Sequence, residues 1–211
     1  MDYKLIDTAG QITAVITSKI EIGDLPQIAN SLMVNNPIIE QVGYLEGTSF
    51  RMMGGELSIN GTLAAAYLLG KSGQINGYDF KLTKNGISLS LPKSIILKVD
   101  KNTVYLEGIT YQVIIGFSKK KILTSRMRDS LFRLASPSPA SGLIFYENNQ
   151  IMPLIYVKPT DSYVWENACG SGSLSAALLT NQSDIIQPSG QIISFQFKSQ
   201  NIVVTTTAKE V

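Results

Sequence analysis

Apolar and polar residues alternate with period two over much of the chain, as in Gln11-Ile-Thr-Ala-Val-Ile-Thr17, Gly86-Ile-Ser-Leu-Ser-Leu91 and Gln191-Ile-Ile-Ser-Phe-Gln-Phe197. Such alternation predicts strands with one buried face. Lys84-Asn85-Gly86, Asp100-Lys101-Asn102 and Glu147-Asn-Asn-Gln150 separate strand-like runs with residues that tolerate tight turns, so antiparallel hairpins are predicted there. Four segments follow a helical period instead. Asp24 is a candidate cap for a helix with Leu25, Ile28, Ala29, Leu32 and Met33 on one face, and others are predicted at about 60–69, 121–134 and 171–179. The second and fourth are small or apolar nearly all round, Leu63-Ala-Ala-Ala-Tyr-Leu-Leu69 and Leu174-Ser-Ala-Ala-Leu-Leu179. A helix of that kind is buried on every side.

These two helices begin alike. With Ser58 placed on Cys169, Gly61 falls on Gly172, Thr62 on Ser173, Leu63 on Leu174, and Ala65-Ala66 on Ala176-Ala177. The matched positions lie about half a chain apart, which predicts an internal duplication with strands wrapped round one buried helix in each unit. The expected fold class is α+β, with mostly antiparallel sheets in two pseudo-symmetric halves, 1–112 and 113–211. The final strand, 202–207, is free to return to either half.

Composition narrows the chemistry. The chain has 211 residues, 44% of them hydrophobic, enough for a substantial core. A single Cys excludes an internal disulfide, and the lack of His removes the common zinc sites and every imidazole-based triad. Acid–base chemistry is left to carboxylates, Lys, Tyr and one thiol. A net charge of +2 is too small for an electrostatic grip on nucleic acid. Lys119, Lys120, Lys121, Arg126 and Arg128 read as a solvated helix face. The start of the chain has no basic segment followed by an apolar one, and no apolar run approaches the ~20 residues that span a bilayer. The expectation is a cytoplasmic protein with no metal and no nucleic-acid or membrane partner.

The two helix starts carry the candidate chemistry. A helix N-terminus presents unpaired N–H groups and the positive end of the macrodipole, a natural seat for a carboxylate. Gly170 and Gly172 remove side chains that would keep a ligand from the backbone, while Ile59 stands beside Gly61. The same donors stabilise a thiolate at the helix start, where Cys169 lies. A small core hydrophobe is the commoner fate of a free Cys. Within Glu166-Asn-Ala-Cys-Gly-Ser-Gly172 the reactive reading is preferred.

Met53-Gly-Gly-Glu-Leu-Ser-Ile-Asn-Gly-Thr62 and Trp165-Glu-Asn-Ala-Cys-Gly-Ser-Gly-Ser173 resemble the two catalytic motifs of the diaminopimelate epimerase superfamily of cofactor-independent racemases and epimerases, and most of all its histidine racemases. The resemblance runs in order through Thr8-Ala-Gly-Gln-Ile-Thr13, Glu40-Gln-Val-Gly-Tyr-Leu-Glu46, Pro153-Leu-Ile-Tyr156 and Gln187-Pro-Ser-Gly190. It implies a diaminopimelate epimerase-like fold with the active site between the halves. One thiol from each half would flank the α-carbon of a small amino-acid-like substrate, with no cofactor, and a homodimer is among the admissible assemblies. Carried over by position, Cys169 is the second-half thiol and Ser58 takes the place of the first. Gln11, Gln41, Glu56, Asn60, Gly61, Thr62, Glu166, Gly170 and Ser171 fall at the substrate.

Two departures follow from the same alignment. A serine hydroxyl is almost never an anion at neutral pH and is a poor base without a partner. Glu56, two residues before it, is a candidate partner. Ile59 replaces a usual Gly. Three readings stay open: an isomerase of the racemase/epimerase kind using Cys169 with Ser58, a degenerate binding protein for amino acids or metabolites, and an interaction subunit.

Overall fold

Strand-forming runs punctuated by turns, and two helices apolar on all sides, fold in the computed structural model into two curled layers of sheet around two buried helices. The structure describes residues 1–84, 86–116 and 121–211. The first half runs β1 (Tyr3–Thr8), β2 (Gln11–Ile16), α1 (Leu25–Asn35), β3 (Gln41–Glu46), β4 (Ser49–Met52), α2 (Ile59–Leu69), β5 (Ser72–Ile75), β6 (Tyr78–Thr83) and β7 (Gly86–Pro92). Next come β8 (Ile96–Asp100), β9 (Thr103–Leu106), β10 (Ile109–Ile115), α3 (Ser125–Leu134), β11 (Ala140–Glu147), β12 (Gln150–Val157), β13 (Ser162–Trp165) and α4 (Gly170–Thr180). The chain closes with β14 (Asp184–Ile186), β15 (Ile192–Phe197), β16 (Asn201–Thr206) and β17 (Ala208–Glu210).

The duplication is visible in the topology. One sheet has the order β17-β1-β2-β3-β4, and β8-β9-β10-β11-β12 repeats it within the larger sheet. In each, the second strand of a hairpin runs parallel to the next strand after a helical crossover, β2 to β3 through α1 and β10 to β11 through α3. A second antiparallel pair follows, β3 with β4 and β11 with β12, and then the central helix. The antiparallel series β5-β6-β7 and β14-β15-β16 also correspond, and they meet where β7 pairs with β16. The last strand of each series is followed by one that joins the other half, β8 on β9 and β17 on β1. The segment 202–207, expected to be the final strand, falls in β16, which lies between β15 and β7 and so touches both halves, and β17 follows it. The division expected between 112 and 113 falls within β10, every residue of which pairs with β11.

The predicted helices are present, one without its expected side-chain cap and one with a later start. Asp24 does not cap α1 through its side chain; a 3-10 turn over Ile22–Asp24 leads into the helix, whose first turn holds a Pro. The third begins at Ser125 rather than near 121, because the Thr124 hydroxyl accepts from the Met127 N–H and fixes the start there. Asn148 and Asn149 both have positive φ, which suits the two-residue turn between β11 and β12, and Lys101 has positive φ between β8 and β9. Asn85 of the third predicted turn, and Lys119 and Lys120 of the basic run, lie outside the described residues. Arg126 and Arg128 are exposed on α3, with the Arg128 guanidinium 4.8 Å from the Tyr163 ring centre.

Residues Ile59 to Ala66 of α2 and Gly170 to Ala177 of α4 are all buried. The first packs between the small sheet and β5 to β7, and the second is enclosed by β10, β11, β12, β14 and β15. Amphipathic α3 covers the outer face of β11 and β12 through Leu131 and Ala135, in a separate cluster with Phe145, Met152 and Leu154. With both faces covered, β11 reads as a continuous apolar run. Trp165 packs there, 5.9 Å from the Phe145 ring. Among the described residues no helix is long and apolar enough to cross a membrane.

Candidate active site

Helices α2 and α4 point their N-termini at each other, and their caps have the same geometry. Ser58 Oγ accepts from the Gly61 N–H at 3.0 Å, and Cys169 Sγ accepts from the Gly172 N–H at 3.4 Å. The Thr62 N–H reaches the Ser58 carbonyl at 2.9 Å, and the Ser173 N–H reaches that of Cys169 at 2.8 Å. The sequence match is thus a match of caps, each side chain satisfying a donor of the first turn.

The surroundings differ. The Ser58 hydroxyl donates to Gln41 Oε1 at 2.9 Å, and Gln41 Nε2 donates in turn to Thr13 Oγ1 at 2.7 Å and Gln11 Oε1 at 3.2 Å. Ser58 thus gives its proton to an amide oxygen, which is no base. Glu56, its candidate partner, accepts instead from the Gly54 N–H at 2.9 Å. Burial pushes the Glu56 carboxyl up to about 7. Around Cys169 the polar groups are ionisable. The Tyr111 hydroxyl lies 3.6 Å from Sγ, and the carboxyl of Glu166 is a close neighbour. Burial, and after it the negative charges of Glu40 and Glu56, carry Glu166 up to about 8. Burial first, and then Glu166, push the Cys169 thiol well above its usual value. Burial and the neighbouring acid therefore favour neutral thiol over thiolate at neutral pH, and the helix donors alone do not reverse this.

A small cavity of about 20 Å³ lies between the helix starts, lined by Gln11, Gln41, Glu56, Ser58, Glu166, Cys169, Gly170 and Ser171. The fold brings these eight predicted residues together. Asn60, Gly61 and Thr62 do not line it. Asn60 Nδ2 donates to the Thr8 carbonyl and Gln11 Oε1, the Gly61 N–H is used by Ser58, and Thr62 Oγ1 donates to the Ser58 carbonyl. A volume of 20 Å³ is about the room for one water. Ile59 does not line it but packs tightly behind Gly170, which does: a Cβ on Gly170 would stand 2.8 Å from Ile59 Cβ and 2.7 Å from Asn60 Oδ1. The missing side chain of Gly170 thus makes room for Ile59 and Asn60, and that of Gly172 for Ile144 and the Cys169 sulfur. The Ser171 hydroxyl takes the first α2 donor, accepting from the Ile59 N–H at 3.2 Å while donating to the Leu57 carbonyl at 3.1 Å.

Among the described residues four buried side-chain atoms have no hydrogen-bond partner, Gln11 Nε2 and Glu166 Oε2 on residues that line the cavity and Asn60 Oδ1 and Thr8 Oγ1 on residues that do not. A larger groove of about 430 Å³ opens on the far side of Ser58 and Glu56, lined also by Glu46, Arg51, Thr62 and Tyr78, and does not reach the thiol. Sequence reasoning missed Tyr111, Glu40 and Gln187. Glu40 accepts from the Asn167 N–H and side-chain amide at 2.7 and 2.6 Å, pinning the loop before α4. Gln187 Oε1 accepts from the Cys169 N–H at 2.9 Å. Tyr111 sits in an apolar strand and carries no local signal.

A family model described as the histidine racemase CntK N-terminal domain matches residues 93–211, more than half of the chain. A histidine racemase of Fusobacterium nucleatum is 26% identical, over 90% of this chain and 86% of its own length. One from Staphylococcus aureus is 23% identical, over 99% and 93%. Among solved structures, a probable proline racemase from Agrobacterium radiobacter superposes with a TM-score of 0.62 at 10% identity, covering 99% of this chain and 90% of its own. A predicted epimerase from Pseudomonas aeruginosa gives 0.60 at 11% identity, covering 99% and 96%. These superpositions establish the shared fold.

Proposed function

Because the chain belongs to the histidine racemase family, we propose that it is an isomerase acting at the α-carbon of an amino acid, with Cys169 as the proton-transfer group and Ser58 facing it. The observation that carries this reading is the Cys169 cap, set between helix donors and Glu166 in the cleft where the two helix starts meet. When the helix starts part, the substrate carboxylate displaces the Ser171 hydroxyl from the Ile59 N–H and takes donors of both first turns. The substrate ammonium meets the unpartnered Glu166 Oε2. Cys169, deprotonated, takes the α-proton, and the helix N–H groups stabilise the negative charge that spreads onto the carboxylate. A proton then returns, from Cys169 on the same face or from the Ser58 side on the other. No cofactor is invoked, so placement and exclusion of water supply the rate. The second unit is proposed to begin near β8 rather than at 113, since β8 to β10 share a sheet with β11, and the two helix starts are proposed to move apart to admit the substrate.

Incubating L-amino acids in D₂O, histidine first because the relatives act on it, and following the α-proton by NMR tests the reading. Exchange with inversion means that both faces work; exchange with retained chirality means that Cys169 alone does. A second reading, binding without turnover, is favoured by the commitment of Ser58 to Gln41 and by the tight packing of Ile59 against Gly170. Saturable binding with no exchange for any amino acid, together with an indifferent Cys169→Ala variant, would establish it instead.

A further inference from the structure

Tyr111 is 2% exposed, turned inward from β10, and its hydroxyl is 3.6 Å from Cys169 Sγ. Its register partner on β11 is Gly142, where a Cβ would stand 2.5 Å from Cδ1 and Cε1 of the ring. The bare backbone of Gly142 seats the ring, and the seat aims the hydroxyl at the sulfur. A core tyrosine needs a partner for its hydroxyl but does not need a thiol in a cleft. Tyr111 lines the same cavity as Cys169, Ser58 and Glu166.

We propose that Tyr111 is a positioning residue for Cys169, donating a hydrogen bond to the thiolate and holding its sulfur toward the cleft. The role rests on the reading of Cys169 as the proton-transfer group. A buried thiolate beside Glu166 is opposed by burial and by like charge, and the Gly172 N–H at 3.4 Å is a long contact. A second donor from the opposite wall offsets part of that cost. The phenol keeps its proton to do so. Burial first, then Cys169 and Glu166, hold it well above the ordinary tyrosine range. Among the described residues, the titratable groups lining this cavity are Glu40, Glu56, Tyr111, Glu166 and Cys169, with no cation among them.

The chain has one cysteine, so selective ¹³Cβ labelling gives a single thiol resonance to titrate. Tyr111→Phe keeps the ring against Gly142 and should raise the Cys169 midpoint by about one pH unit, the size of one hydrogen bond to a charged group. α-Proton exchange in that variant should fall about tenfold below the midpoint and recover above it. An unchanged midpoint, or a deficit equal at all pH values, overturns the proposal. Should Tyr111→Phe fold poorly, 2,3-difluorotyrosine at position 111 keeps the shape and strengthens the donor; it must lower the midpoint, and an unmoved one overturns the proposal equally. The midpoint is read without turnover. Absence of exchange in the unaltered protein therefore sinks the catalytic reading, while the midpoint still decides the role of Tyr111.

Discussion

The starts of α2 and α4 share backbone geometry and differ in chemistry. Each cap accepts from the third N–H of its helix, and each helix is buried over its first eight residues. Ser58 belongs to a chain of amides and hydroxyls, Gln41, Gln11 and Thr13, that fixes a proton in place. Cys169 lies among ionisable groups, with the Glu166 carboxyl and the Tyr111 hydroxyl beside its sulfur. A duplicated fold thus preserves the capped helix starts, the donors proposed to receive a carboxylate, while the side chains around each cap differ in chemistry.

The largest expected effect breaks the comparison at its reactive end. Cys169→Ala should lower α-proton exchange on the order of a hundred- to ten-thousandfold, the usual range for an acid–base group, as read by NMR in D₂O. Ser58→Ala should reduce inversion and leave exchange with retention, and equal loss of both would show that Ser58 takes part in the first proton transfer.

Ile59→Ala comes next. Ile59 is fully buried against Gly170, and its truncation should cost about 2–5 kcal/mol in urea unfolding. In that background Ser58→Cys should racemise faster than Ser58→Cys alone, since Gly170 at the cavity wall gains room to move back; equal rates would place the obstruction elsewhere.

Stability should also depend on pH through the acids around the thiol. Glu166 and Glu56 stand at about 8 and about 7 in the folded protein, above their ordinary value of 4.5. Folding therefore binds protons between these limits, and the stability this contributes is present below pH 4.5 and lost as pH rises through 7 and 8. Thermal unfolding should occur several degrees lower at pH 8.5 than at pH 5.5. Glu166→Gln should flatten that slope, and an unchanged slope would remove Glu166 as its source.

The smallest effect concerns the caps themselves. Ser58→Ala should cost about 1 kcal/mol as a lost N-cap. Cap loss in Cys169→Ala should cost less, because sulfur is a weak acceptor. Chemical denaturation of the two variants checks the order.

Much of the site was legible in the sequence because it is local. A cap and its first turn are consecutive residues, so Ser58, Cys169 and their matched glycines could be aligned without coordinates, and the period of the flanking strands gave the α+β class. Glu56 was the local reading that failed as a partner for Ser58: two residues of separation left the direction of its carboxylate open, and the Gly54 N–H took it. Asp24 failed as a cap because a 3-10 turn continues through it.

The sequence by itself determined that two matched helix starts exist, that each is capped by a side chain with an ionisable or hydroxyl hydrogen, and that only one is a thiol. These follow from residues within a few positions of one another. Tertiary structure decided what those groups can do. Tyr111 reaches Cys169 from 58 residues away, Ser171 reaches the Ile59 N–H from 112, and Gly142 earns its place only through the ring it seats. Proton affinity and access depend on neighbours brought together by folding, and no local pattern encodes which residues those will be.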